Sequence, residues 1–78
     1  MHHDRINIDP NIMFGKPVIK GTRITVESIL RKLGEGMTDQ AIIAHHPGLH
    51  VEDIRAAAAF AADHLASEDI VLASGAKL

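Results

Sequence analysis

Gly15-Lys16-Pro17-Val18-Ile19-Lys20-Gly21-Thr22-Arg23-Ile24-Thr25-Val26 is the stretch that decides the fold. Two glycines, a proline and three cations sit among β-branched residues, directly ahead of a helix start. Gly15 and Pro17 frame a loop, and Val18-Ile19-Lys20 reads as a short strand. Gly21-Thr22 breaks that strand, and Thr25 offers a side-chain oxygen to cap the next element. That element is helical: Val26, Ile29, Leu30 and Leu33 fall at i, i+3, i+4 and i+7, a single apolar stripe.

Upstream, Ile6-Asn7-Ile8 alternates apolar and polar, and Asp9-Pro10-Asn11 supplies turn chemistry. The two short strands are expected to pair as a hairpin around residues 9–16. Two short strands alone are marginal in water, so this arm needs a helix or another chain to pack against. Downstream, Arg31 and Lys32 suit the last turn of helix 1, and Gly34 suits the left-handed position after it. Helix 2 starts at Thr38, with Met37 placed to staple against Ile42, and Pro47-Gly48 stops it after about two turns. Helix 3 is expected from Val51 or Glu52 to Ala66. Its predicted buried stripe is Val51, Ile54, Ala58, Ala61 and Leu65, flanked by Ala57 and Phe60. The expected organisation is one domain over residues 1–78: a β arm (1–24), a three-helix unit (25–66) and a C-terminal tail (67–78) holding Ile70-Val71-Leu72. A medium helix, a short helix, a tight Pro-Gly turn and a longer helix is the order of a helix-turn-helix unit. The fold class is therefore mainly α.

Composition narrows the field. The 78 residues contain no Cys, Trp or Tyr, and Phe14 and Phe60 are the only aromatics. Disulfides and thiolate metal sites are excluded. A domain of this size hides only about 60% of its unfolded surface, which favours a second chain completing the core, hence a homodimer. No apolar run approaches the roughly 20 residues of a membrane span, and no apolar stretch comes after Met1-His2-His3-Asp4, so the expected compartment is the cytoplasm. The net charge of −2 hides an asymmetry. Residues 1–34 carry six Lys/Arg against three acids, a net of +3, whereas residues 35–78 carry two against seven, a net of −5. That division suits a basic contact face and an acidic face of different use.

The Gly15–Val26 motif closely resembles that of a small bacterial and archaeal family, the domain of unknown function 433, often described as antitoxin-like. Gly34-Glu35-Gly36, His46-Pro47-Gly48-Leu49 and Glu52-Asp53-Ile54-Arg55-Ala56-Ala57 extend the resemblance over roughly Ile6 to Leu65. At the start of helix 3 this chain has His50, a weaker cap, where the family commonly has Thr or Ser. The resemblance implies a homeodomain-like fold. It also implies an antitoxin that binds a PIN-like ribonuclease and silences it, with operator DNA as a further partner.

In a helix-turn-helix protein the last helix carries polar and basic side chains toward DNA, yet its outward positions here read Glu52, Arg55, Ala56, Ala59, Ala62 and Asp63. Carboxylates repel phosphate and alanine reaches only a thymine methyl, so Arg55 is the one useful contact on that helix. The other candidate DNA contacts lie on the arm: Lys16, Lys20 and Arg23. For a dimer or partner interface the candidates are the β-branched residues Val18, Ile19 and Ile24, the small-residue strip through Ala59, and Ile70, Val71 and Leu72 of the tail. Enzyme chemistry is not expected, nor a cofactor or a small-molecule substrate. Gly15-x5-Gly21-Thr22 lacks the Gly-Lys-Ser/Thr ending of a phosphate loop, and no serine has an obvious His and acid partner. His45, His46, His50 and Asp53 invite a metal reading, but neighbouring helical histidines point to different faces, and no metal is expected.

Overall fold

The computed structural model describes residues 3–67. Two strands, β1 (Ile6–Asn7) and β2 (Val18–Ile19), precede three helices: α1 (Val26–Gly34), α2 (Asp39–His45) and α3 (Val51–Ala66). This is the expected homeodomain-like helical unit with an N-terminal hairpin, and its boundaries fall where the capping residues place them.

The strands run antiparallel, Ile6 opposite Ile19 and Asn7 opposite Val18. Their short ladder is extended by Lys20 N–H donating to the Arg5 carbonyl at 2.7 Å. The loop between them is held by Asp9, whose Oδ1 accepts from Asn11 N–H at 2.8 Å. It ends on a turn of three consecutive left-handed residues, Met13 (φ 49°), Phe14 (φ 60°) and Gly15 (φ 80°). Thr22 ties the β2–α1 turn from both sides: its hydroxyl donates to the Ile19 carbonyl at 2.8 Å and accepts from Ile24 N–H at 3.0 Å.

Thr25 and Thr38 cap α1 and α2, each hydroxyl accepting an N–H three residues on, from Ser28 at 3.0 Å and Ala41 at 3.1 Å. At the end of α1 the left-handed residue is Gly36 (φ 93°), not Gly34. Gly34 still belongs to the helix, and the chain closes by Gly36 N–H to Leu33 and Met37 N–H to Lys32, both 3.0 Å. That pair of bonds is a Schellman motif, which requires its glycine two residues later than the sequence pattern suggests.

The core consists of Ile19, Val26, Ile29, Ile42, Leu49, Ile54 and Ala57, with Ile6, Ile24, Leu30, Leu33, Met37, Ile43 and Phe60 packed around them. α3 lies against α1, α2 and β1 together, so the arm is part of the same core. Two expectations need correction. The buried face of α3 is Asp53, Ile54 and Ala57, while Ala58 and Leu65 are exposed. Neighbouring helical positions differ by about 100°, so choosing Ala58 over Ala57 turned the predicted stripe away from its partners. Val18 and Ile19, expected at an interface with another chain, are 0% and 3% exposed. The arm is short enough to fold onto its own helices, and doing so consumes both side chains. Among the described residues no helix is long and apolar enough to cross a membrane.

Candidate functional site

Two surfaces remain after the core has taken its share, one cationic and one apolar. The cations of the arm do not act alike. Arg5 Nη1 donates to Asp53 Oδ1 at 2.9 Å, so this charge is spent on joining the arm to α3. Asp53 is 5% exposed, and its second oxygen accepts from His50 N–H at 2.9 Å. One carboxylate thus seals the start of α3 and anchors the hairpin to it. Sequence reading set Asp53 beside the histidines as a metal possibility and missed this role. The signal was present, because an acid three residues into a helix is one half of a capping box.

Lys16 and Arg31 converge on Glu27, Lys16 at 3.4 Å and Arg31 at 3.0 Å. The Arg31 hydrogen bonds, then those and the charge of Lys16, hold the Glu27 carboxyl below its usual value. Lys20 and Arg23 differ: both are exposed on the β2–α1 turn, and neither forms an ion pair among the described residues. Arg55 is exposed on α3, away from that turn in sequence and equally without an ion pair among those residues. Four candidate DNA contacts therefore divide into one lysine paired with Glu27, two exposed cations on one turn, and one on a different element.

The apolar surface is a groove of about 440 Å³ between α1 and the last two turns of α3. Val26 and Leu30 form one wall, Phe60, Ala61 and Leu65 the other, and Pro17 closes one side. Glu27, Arg31 and His64 stand along its rim. Leu65 is 53% exposed, a large apolar side chain left at the groove wall. Beside it, Phe60 stacks on His64 at 6.2 Å, and His3 meets the Phe60 ring edge-on at 5.3 Å. His3 Nε2 lies 2.8 Å from Asp63 Oδ2, which sets the chain ahead of β1 against this part of α3. Of the expected interface residues, Ile24 is half-buried against the core and Ala59 is exposed. Ile70, Val71 and Leu72 lie outside the described residues.

A third feature stands apart. Phe14 is 94% exposed although it is one of only two aromatics. It is also held at positive φ, a conformation that costs a non-glycine residue roughly 1–2 kcal/mol. Sequence reading did not single out Phe14, because strain and exposure appear only once the turn is built.

The histidines gather no metal cage: among the described residues there is no cluster of three His, Cys, Asp or Glu side chains able to hold an ion. His45 and His46 meet edge to face at 5.0 Å. Burial, then the charges of Lys32 and His45, hold His46 below the ordinary imidazole value, and its Nε2 is buried with no partner among the described residues.

Comparison with known proteins places this geometry. The profile of a protein of unknown function, DUF433, matches residues 6–61, and the chain belongs to that family. A crystal structure of a DUF433 member from Anabaena variabilis is 31% identical, with a TM-score of 0.75 over 80% of this chain. The present chain spans 61% of the length of that protein. No curated protein matches it.

Proposed function

We propose that this chain is an antitoxin-like binding protein of the cytoplasm, acting as a dimer and without catalysis of its own, whose apolar groove seats a segment of a partner protein. The observation that carries the reading is the groove itself. Its walls are apolar, and the α3 wall combines a small residue, Ala61, with a half-exposed leucine, Leu65. Such a trough accepts an amphipathic helix or an extended apolar segment, and the Glu27–Arg31 rim gives the guest an orientation. The nature of the partner comes from the family resemblance, which favours a PIN-like ribonuclease.

The test is to look for a PIN-like ribonuclease encoded beside the gene and, where there is one, to co-express it with this chain. The expected result is a co-purifying complex and relief of toxicity, both lost in Leu65→Asp. A partner that neither co-purifies nor loses its toxicity ends this reading. A homodimer that forms without such a neighbour supports the rival, an interaction module with no DNA role.

A second reading, operator binding, rests on Lys20 and Arg23. They are close in sequence, exposed and unpaired among the described residues, whereas Lys16 is held by Glu27. Each phosphate contact contributes about 0.9 to the slope of log affinity against log salt. Replacing Lys20 and Arg23 by Ala in a dimer should therefore flatten that slope strongly, and Lys16→Ala or Arg55→Ala should flatten it less. A parent protein with no affinity for the upstream DNA at low salt removes operator binding from the function.

A further inference from the structure

We propose that the loop of the hairpin is a knob for the α1–α3 groove of a second copy, with Phe14 of each chain seated in the groove of the other. Such a dimer rests on the reading of that groove as an apolar seat and names its occupant when the chain is alone.

The first observation is which apolar side chains the fold leaves outside. Among the described residues the exposed large hydrophobics are Ile8 (57%), Phe14 (94%) and Leu65 (53%). Ile8 and Phe14 stand on the loop between β1 and β2, and Leu65 stands on the groove wall. One reciprocal contact covers all three. Val18 and Ile19 cannot serve in their place, because the core has taken them.

The second is the state of the loop. Phe14 has φ 60° and ψ 30°, next to Met13 at φ 49°. Left-handed backbone is unfavourable for an aromatic residue, and three hydrogen bonds hold it there. Ile12 N–H donates to the Asp9 carbonyl at 2.9 Å, and Gly15 N–H and Lys16 N–H donate to Ile12 and Met13, both at 3.1 Å. Phe14 nevertheless takes no part in the core. A loop already fixed loses little freedom on docking, which suits an aromatic anchor.

The third is position. Pro17 lines the groove and lies three residues after Phe14, so their Cα atoms are at most about 11 Å apart. Lys16 Nζ lies 3.4 Å from Oε1 of Glu27, a rim residue, which ties the end of the loop to the groove. Knob and groove are therefore close neighbours on one chain. Two copies related by a two-fold axis then make the same contact twice, and the assembly closes.

Size and charge agree with this occupant. A groove of about 440 Å³ is large enough for a small organic group, and Phe60 on its wall gives an incoming ring an aromatic neighbour. Two Phe14 rings bury about 300–500 Å² and cover a like area of groove wall. With Ile8 and the polar rim added, the total approaches the roughly 1,200 Å² at which stable interfaces begin. Lys16 and Glu27, opposite in charge and each about half exposed, stand beside the contact and supply a polar rim with no charge left buried. A partner that enters the groove displaces the second copy's Phe14, so dimer and partner complex alternate at one surface.

Two variants separate knob from groove. Phe14→Asp removes the knob and keeps the groove, and aspartate tolerates a left-handed turn. Leu65→Asp spoils the groove and keeps the knob. Sedimentation equilibrium of the isolated chain should show a dimer, and each variant should raise its dissociation constant by more than about tenfold. Mixing the two variants restores one intact contact. In ¹⁵N-labelled Phe14→Asp chain, added unlabelled Leu65→Asp chain should shift the amides of Leu30 and Ala61 and leave those of Ile42 and Ile43 in place. Added unlabelled Phe14→Asp chain should shift none of them. Circular dichroism checks that both variants fold, and Phe14→Ala with Leu65→Ala repeats the pairing should either aspartate chain unfold. The proposal is overturned by a parent that is monomeric at every concentration, or by a variant that dimerises as tightly as the parent. A mixture that shifts no groove amide overturns it, as does a mass that grows beyond the dimer. Phe14→Asp leaves the groove intact and should still capture a ribonuclease, so the second copy and the partner are judged separately.

Discussion

The two ends of α3 belong to one continuous helix and have opposite fates. From Val51 to Ala57 the helix buries Asp53, Ile54 and Ala57 beneath the arm and the other helices. From Ala58 to Ala66 no residue is fully buried, and the helix lines an open groove. Propensity does not explain the difference, since the half richer in alanine, the best helix former, is the less buried one. What stands opposite does. At the first end Arg5 reaches from the hairpin to Asp53 and closes the gap, whereas at the second end the space between α1 and α3 stays open. Stability therefore concentrates at one end of a single helix and binding capacity at the other.

The sharpest way to break this comparison is to truncate one large apolar residue at each end. Ile54→Ala should cost about 2–5 kcal/mol, because a 4% exposed isoleucine leaves a cavity that its neighbours cannot fill. Leu65→Ala should cost about 1 kcal/mol or less, since half of that side chain already meets solvent. Urea denaturation of both variants gives the ratio. Equal losses would mean that the open end carries as much of the fold as the closed one.

The link that closes the first end can be removed directly. Asp53→Ala leaves the Arg5 guanidinium and the His50 N–H without their acceptor, and the expected loss is about 1–3 kcal/mol. Amide exchange should quicken along β1 as well as at the start of α3, because the same carboxylate anchors both. Faster exchange confined to α3 would show that the hairpin holds its place without Arg5.

Much of this division was legible in the residues, and the remainder was hidden for reasons that can be named. Thr25 and Thr38 announce their helices because a hydroxyl ahead of a periodic apolar run has one strong local use. The hairpin was legible as two short β-prone runs around a turn, whereas its register, Ile6 opposite Ile19, was not. The rotation of α3 was not legible. With alanine at 56, 57, 58 and 59, the sequence hardly distinguishes one face from the next, and the deciding residue is a buried aspartate, which periodicity counts as outward. Val18 and Ile19 failed as interface residues for a related reason. Apolar strand residues are consumed by whichever surface arrives first, and in a chain this short that surface is its own. The availability of Lys20 and Arg23 against the pairing of Lys16 depends on side-chain geometry that no charge count contains.

The hairpin repeats the contrast in miniature, with Arg5 fixed at one end and Phe14 exposed at the other. Phe14→Gly removes positive-φ strain from a site that glycine occupies freely, although glycine also loses more freedom on folding. The net expectation is a gain of about 0.5–1 kcal/mol in thermal or urea unfolding. If partner capture weakens in the same variant, the strain is retained for contact. A loss of stability would mean that Phe14 supports the fold despite being 94% exposed.

The smallest effect concerns pH, and it extends the comparison to the junction of α2 and α3. His46 sits below the ordinary imidazole value of 6.5 because burial, then Lys32 and His45, oppose its charge. As pH falls through 6.5 the unfolded chain takes up a proton that the folded chain refuses, so stability is intact above that value and declines below it. The decline ends once pH passes the lowered value of the folded state, where both forms are protonated. Glu27, held below 4.5 by Arg31 and Lys16, acts in the same direction but only in a more acidic window. The two contributions are therefore separable by pH alone. His46→Gln should flatten the decline that begins as pH falls through 6.5 and leave the more acidic limb in place. Unfolding midpoints measured across that range in parent and variant decide it. If His46→Gln keeps the full decline, other histidines govern that window, and the junction at His46 is indifferent to charge.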